Sequence, residues 1–223
     1  MATKLEFLKS IPYFTGLDNG ELDSISQFFS ERKVERDEII QLEGKPAEAL
    51  FFVASGAVKV FKISSEGKEQ ILSIVRSGES FNDIAVFDDG PSPASVQAMT
   101  PVTLYRISRD ELHTILREHP EVALNTTRVL ADRTRQLVSL VEDLSFRHVI
   151  NRVARVLLEN AGNGSTPGTR LTQQEMAAMV GSVREVVARS LKDLEVEGVI
   201  KLERHSIRIT DREALEAMAE AAT

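Results

Sequence analysis

The 223-residue sequence contains no cysteine. That absence removes disulfide frameworks, thiolate zinc sites, cysteine-bound iron–sulfur clusters and cysteine nucleophiles together, and it suits a reducing compartment without requiring one. Histidine is scarce too: the four are His113, His119, His148 and His205, so none precedes Glu111. A cupin-like ligand-binding protein, which clusters histidines with a carboxylate around a metal, finds no such ligands in the first half of the chain. A Gly-rich phosphate loop, a nucleophile elbow and a His-Glu-x-x-His pair are also missing, and the chain is read as a non-enzyme with no metal site. No stretch approaches the roughly 18 consecutive apolar residues of a membrane span. Residues 1–10 mix Lys4, Glu6 and Lys9 with apolar positions, which predicts a short helix of a soluble, cytoplasmic protein with no membrane partner.

Positive charge is in deficit as well. The net charge of −7 and pI near 5.3 speak, over the whole chain, against a nucleic-acid binder. Division of the chain changes that reading. Residues 1–146 hold 16 Lys and Arg against 23 Asp and Glu, whereas residues 147–223 hold 11 of each. All the acidic excess therefore sits in the first two-thirds, and the C-terminal part has room for a local basic face.

Short β-rich runs fill residues 50–54, 57–63, 70–75, 95–98 and 102–107, separated by glycine or proline turns. Gly44, Gly56, Gly67 and Gly78 recur at the spacing of successive antiparallel strands. Ahead of them, Asp18 and Glu21 form a capping box before an apolar helical series at Leu22, Ile25, Phe28 and Phe29. From Ser108 the period becomes helical. Ser108 and Glu111 make another box, and a helix free of Gly and Pro then runs from about residue 120 to 144. Along it Leu130, Leu137 and Leu144 lie seven apart, with Thr127, Thr134 and Val141 as the companion series. These are the positions of a two-stranded seam, and they predict a homodimer through Leu130, Thr134, Leu137, Val141 and Leu144. The alternative is a helix packed on its own β domain. A further helix over residues 146–161 leads into a Gly-rich loop over 161–169.

Thr172-Gln-Gln-Glu175 opens a helix with a capping box, and Gly181 stops it. Ser182-Val-Arg-Glu185 predicts a second box and a second helix, with Val183, Val186, Val187, Leu191 and Leu194 as its core face. Two short capped helices joined by a glycine turn are a helix-turn-helix signature. The alternating runs 199–202 and 207–210 add a β-hairpin wing, and Asp211 caps a last helix. Arg184, Glu185, Arg189 and Lys192 lie on the exposed side of the second helix, where Arg can bridge O6 and N7 of guanine and Glu can accept from the cytosine amino group. Ser182, Thr172, Gln173 and Lys201 are further DNA-contact candidates, and Arg204 and Arg208 in the wing can meet phosphates. The bland alternative is a solvated charged face on an ordinary helix.

A glycine-punctuated β unit, a long self-associating helix and a winged helix-turn-helix, in that order, resemble the Crp/Fnr family of bacterial transcription regulators. The resemblance covers nearly the whole chain. It is carried by Leu50-Phe-Phe-Val-Ala-Ser-Gly-Ala-Val-Lys-Val60, Gly67-Lys-Glu-Gln-Ile-Leu72, Ser77-Gly-Glu79, Leu171-Thr-Gln-Gln-Glu-Met176 and Val180-Gly-Ser-Val-Arg-Glu-Val-Val-Ala-Arg-Ser-Leu-Lys192. It implies an α+β chain: an antiparallel β-roll sensor domain of the cyclic-nucleotide-binding, jelly-roll type over residues 1–118, a dimerisation helix and hinge over 119–145, and a winged helix-turn-helix over 146–223. It also implies a homodimer on double-stranded DNA, with RNA polymerase as a further partner. The family's Arg-Glu-x-x-x-Arg pattern matches Arg184, Glu185 and Arg189, which implies TGTGA-like half-sites in a palindrome.

In the sensor half the sequence departs from the family pattern. Where cyclic AMP-binding members carry a Gly-Glu-Leu turn for the ribose, this chain has Asn82-Asp83-Ile84. The Arg and Ser that hold the phosphate fall on Pro93 and Ala94, behind Asp88 and Asp89. A phosphate there loses a charge-assisted pair worth roughly 1.5–3 kcal/mol. The adenine-facing Thr-Ser pair aligns with Leu137 and Val138, which donate no hydrogen bond. The expected effector is therefore something other than cyclic AMP, in a pocket lined by Asn82, Asp83, Ile84, Pro93, Ala94, Leu137 and Val138. The iron–sulfur alternative is excluded by the missing cysteines. A haem sensor of carbon monoxide or nitric oxide stays open, since Leu137, Val138, Leu140 and Val141 suit an apolar pocket, although no histidine lies in the β unit to ligate iron. Ligand-independent control is the remaining alternative, and the hinge is expected at residues 142–146.

Overall fold

The computed structural model describes residues 4–160, 171–203 and 206–221. The chain divides into two compact units, one of residues 1–62 and 73–136, the other of residues 63–72 and 137–223. The Gly-rich loop expected over 161–169, and Arg204 and His205 in the wing, lie outside the described residues.

The first unit begins with α1 (Lys4–Ser10), a 3-10 turn (Pro12–Phe14) and α2 (Asn19–Ser26), whose Asp18–Glu21 capping box forms as expected. Eight strands follow along the chain, namely β1 (Ser30–Val34), β2 (Ile39–Gln41), β3 (Ala49–Ser55), β4 (Ala57–Ile63), β5 (Glu69–Arg76), β6 (Ser80–Phe81), β7 (Ser95–Ala98) and β8 (Val102–Ser108), of which the last residue of β4 and the first half of β5 are grouped with the second unit. They form two four-stranded sheets, ordered β1-β8-β3-β6 and β2-β7-β4-β5. The period of two explains why β3 is buried almost throughout. Its Ala49, Phe51 and Val53 enter an apolar cluster shared with Val58, Val96 and Ala98 of the other sheet. Leu50 and Phe52, on the opposite face, join the aromatic-rich core made with Tyr13, Phe14, Ile25 and Ile115. A strand buried on both faces loses alternation and reads as a continuous apolar run.

Strands β1, β2 and β6 were not among the expected runs, because charged, short or isolated segments carry little β signal; β1 is Ser-Glu-Arg-Lys-Val. The four evenly spaced glycines all adopt positive φ. At Gly56 the need is steric too, since a Cβ would stand 2.5 Å from the Pro101 carbonyl. Between β6 and β7 lies the short α3 (Asp83–Phe87), preceded by Asn82 in the left-handed region at φ 71°. After β8 come α4 (Arg109–Glu118), with the expected Ser108–Glu111 box, and the 27-residue α5 (Pro120–Phe146).

The second unit holds the end of α5, α6 (Val149–Asn160), α7 (Gln173–Met179), α8 (Arg184–Val196), β9 (Ile200–Leu202), β10 (Ile207–Ile209) and α9 (Arg212–Glu220). Val153, Met176, Val187, Leu191, Leu194, Ile200 and Leu215 make its core. Residues 142–146, expected as a hinge, are helical; the interruption falls at Arg147 and His148. No helix among the described residues is long and apolar enough to cross a membrane.

Candidate nucleic-acid interface and sensor site

Thr172 caps α7 reciprocally with Glu175: the Glu175 N–H donates to Thr172 Oγ1 (3.1 Å) and the Thr172 N–H to Glu175 Oε2 (2.6 Å). The next capping box does not form. The first residue of α8 is Arg184, its N-cap is Val183, and no side chain caps it. The physical reason is Gly181, whose left-handed φ of 65° spends Ser182 in the turn, with its N–H on the Ala177 carbonyl (3.0 Å). Glu185 then falls one position early for a box. The same shift removes Val183 from the expected core face and leaves it 51% exposed. Gly181 also sits tight, as a Cβ there would lie 2.7 Å from Leu144 Cδ2.

On α8 the buried residues are Val187, Ser190, Leu191 and Leu194, so Arg184, Glu185, Arg189 and Lys192 are exposed as expected. None of these four has an ion-pair partner among the described residues. In the wing, Lys201 and Arg208 stand opposite each other across the β9–β10 pair. Like charges in register destabilise a hairpin unless an anion neutralises them, and Glu203 relieves only Arg208, at 3.3 Å. Ser182 and Gln173 are half-buried and Thr172 is exposed. The unit thus carries unneutralised cations on the first turns of α8 and on its hairpin, the donor set that phosphates and guanine edges require.

Leu137, Val138, Val141 and Leu144 form an apolar stripe on α5, 38–63% exposed within the single chain. Leu130 is half-buried. Thr134 returns its hydroxyl to the Leu130 carbonyl (2.9 Å), as Thr127 does to Ala123 (3.0 Å), so neither leaves an unsatisfied group on the face.

The candidate effector site is built differently. Asp83 is buried, and its Oδ1 accepts from the Tyr13 hydroxyl and from Ser80 Oγ (3.0 Å), while Oδ2 takes the Arg133 guanidinium. Arg133 also donates to the Ser80 carbonyl and to Ser80 Oγ (2.8 Å). Burial, reinforced by the Asp83 charge, raises the Tyr13 phenol well above its ordinary pKa and keeps the donated proton on the ring. For Arg133 burial pulls the pKa down, but the Asp83 carboxylate beside it outweighs that, and the guanidinium is held charged. Neither Tyr13 nor Arg133 was among the expected site residues. Arg133 lies four residues after Val129 and eleven after Val122, on the buried side of α5 and off the predicted seam, where the heptad spacing gives no signal for it.

Of the expected pocket residues, Asn82 and Asp83 are brought together at the start of α3, where Asn82 Nδ2 donates to Gln41 Oε1 (3.3 Å) and its Oδ1 is buried without a partner. Ile84 turns outward at 49% exposure, so it does not line the interior. Ala94 is buried and Pro93 exposed, with Lys62 donating to the Pro93 carbonyl (3.1 Å) while it pairs with Glu43 (2.6 Å). Leu137 and Val138 belong to the second unit. His113 and His119 lie in or beside α4 and His148 beside α6; the described histidines are on no strand.

Residues 31–119 match the model of the cyclic nucleotide-binding domain and residues 151–218 that of the Crp-like helix-turn-helix domain. The chain is 32% identical, over 94% of its length and 97% of the relative's, to the CRP-like cAMP-activated global transcriptional regulator of Mycobacterium tuberculosis. It is 32% identical to the cyclic AMP receptor protein of Thermus thermophilus, covering 95% of this chain and 98% of that one. Its fold matches the crystal structure of a Crp/Fnr-family regulator from Eubacterium rectale with a TM-score of 0.76 at 25% identity, over 96% of this chain and all of that one.

Proposed function

The chain belongs to the Crp/Fnr family of transcription regulators, and from that membership we propose that it acts as a homodimer on a palindromic DNA site with TGTGA-like half-sites, under an effector other than cyclic AMP. The observation that carries the DNA reading is the run of exposed, unpaired Arg184, Glu185 and Arg189 at the start of α8, in the order a base-reading helix needs. Lys192, Lys201, Thr172, Gln173 and Ser182 add phosphate and backbone contacts. In this reading residues 1–118 sense, 119–145 dimerise, 146–223 bind DNA, and RNA polymerase is the downstream partner. Selection from random DNA is expected to return the palindrome; an unrelated or non-palindromic motif overturns it. Light scattering checks the dimer, since Leu137→Glu places a charge in the seam and is expected to leave a monomer that no longer shifts the operator.

By their names, one of the two relatives is activated by cyclic AMP and the other is a cyclic AMP receptor, and the chemistry around Asp83 in this chain departs from such a site. Asp83 could meet a ribose hydroxyl, yet it already accepts from Tyr13, Ser80 and Arg133. At the phosphate position stand Pro93 and Ala94, and the nearby Lys62 is neutralised by Glu43. Calorimetric titration with cyclic AMP is expected to show no binding; micromolar affinity coupled to tighter operator binding would refute an effector of another kind. The completeness of the Asp83 cluster favours, as a second reading, control without any small molecule. An absorption spectrum and native mass of the freshly purified protein separate the two: a Soret band or a co-purified molecule supports an effector, and a bare chain that binds its operator supports none.

A further inference from the structure

Asp143 sits near the end of α5, only 9% exposed, and gathers guanidinium groups from the segments that follow it. Its Oδ1 accepts from Arg147 Nε (2.8 Å) and from Arg155 Nη1 (2.9 Å). Arg155 reaches back one turn to Ser139 Oγ (3.0 Å), so it grips two successive turns of α5 from α6. The main-chain carbonyl of Asp143 accepts from Arg152 Nη1 (3.3 Å), and Arg152 Nε donates to the Val180 carbonyl (2.9 Å), in the turn between α7 and α8. Arg147 continues to the Ala219 carbonyl at the end of α9. Two of these contacts, to Val180 and Ala219, leave the helix pair α5–α6 and fix the DNA-binding elements themselves. All the participants lie within the second compact unit.

A single carboxylate thus lies where α5, α6, α9 and the helix-turn-helix turn are tied together. The geometry points to Asp143 as the positioning residue that holds the recognition helix α8 at one orientation relative to the last turns of the dimer helix, and so determines which spacing of half-sites the protein accepts. The inference rests on the homodimer reading above. A forked guanidinium bonded at two points resists rotation in a way that a lone hydrophobic contact does not, because each N–H···O bond weakens steeply off axis. Without the carboxylate charge, Arg147 and Arg155 lose their shared counter-ion, Arg155 keeping only the more exposed Glu159 (3.1 Å), and repel each other across the junction between α5 and α6. The DNA-binding elements then keep their own core, made by Val153, Val187, Leu191 and Leu215, while their angle to α5 is set less sharply.

The test uses the full-length chain on the operator it selects, with the spacer between half-sites kept, shortened or lengthened by one base pair. Each base pair rotates one half-site by about 35° relative to the other. The wild-type chain is expected to lose about tenfold or more in affinity on either altered spacer, equivalent to roughly 1.4 kcal/mol. Asp143→Asn is expected to retain dimer mass and a cooperative unfolding transition, at a lowered thermal midpoint, but to bind the three spacers within about threefold of one another. If that variant does not fold, Arg155→Gln is measured in its place, since it leaves the Asp143–Arg147 pair standing and is expected to relax the same preference. Equal weakening on all three spacers, or an unchanged preference in both variants, overturns the role of Asp143 and leaves the DNA reading intact. A wild-type footprint over a single half-site overturns the dimer reading and this inference with it.

Discussion

The start of α8 and the Asp83 cluster both use arginine beside a carboxylate, and they use it in opposite ways. Arg184 and Arg189 are exposed and have no ion-pair partner among the described residues, with Glu185 between them available as an acceptor. Their charge is left for a partner to neutralise, and the cost of exposing it is small because water solvates it. Arg133 and Asp83 have neutralised each other through Oδ2, with Tyr13 and Ser80 both donating to Oδ1. That charge is desolvated and spent within the chain. The contrast is between a carboxylate whose neighbours in the chain have claimed it and one left open to a partner: whether acceptor positions are free decides what each can bind.

The comparison is broken most forcefully at Arg133. Arg133→Ala leaves Asp83 buried without its cation, and breaking a buried pair on one side costs about 3–5 kcal/mol. Urea denaturation of the full chain is expected to show that loss. Replacing both partners, Arg133→Leu with Asp83→Leu, is expected to recover much of it, because no uncompensated charge is then left inside. A single variant within about 0.5 kcal/mol of wild type would put Arg133 in the same class as a surface arginine. Tyr13→Phe is a smaller version of the same test. It removes one donor from a buried carboxylate that keeps two others, and about 1.5–3 kcal/mol is expected by the same measurement.

The two sites were unequally legible in the sequence. The α7 cap and the glycine turn close over at most five residues, and the apolar face of α8 repeats with the helix period, so spacing alone reveals them; the failure at Val183 is a shift of one residue, caused by the conformation of Gly181. The sensor cluster joins Tyr13 to Asp83 across 70 positions and Arg133 to Asp83 across 50. Nothing periodic links such residues. The eight strands were read where they were long and apolar, and missed where, as in β1, charged side chains face out along a strand held by its neighbour β8. Leu137, Val141 and Leu144, which the heptad spacing picks out on α5, are exposed in the single chain, whereas the Arg133 side chain on the same helix turns to Asp83.

At the recognition helix the expected effects are on affinity, with folding unchanged. Arg184→Ala is expected to cost about 1–3 kcal/mol on the selected operator and to relax the preference at one base pair in each half-site. Its denaturation midpoint is expected to stay at the wild-type value, since the side chain is exposed and unpaired. A loss spread evenly over every sequence would mean that Arg184 meets phosphate and not a base edge.

The smallest effect is expected in the wing, and it separates phosphate contact from base reading. Lys201 stands across the hairpin from Arg208, which already leans on Glu203. Lys201→Ala removes one cation from a like-charged pair, so the free protein is expected to gain slightly or not change in stability. Binding is expected to weaken alike on operator and unrelated DNA, and the slope of log affinity against log salt to fall by about one, the signature of one lost phosphate contact. An unchanged slope would place Lys201 away from the backbone and leave the exposed cations of α8 as the contacts that the sequence ties to DNA. A lost preference at a particular base pair would instead give the wing a part in reading sequence. Affinity measured at several salt concentrations on both DNAs distinguishes the three outcomes, because counterion release tracks phosphates neutralised whatever the base sequence.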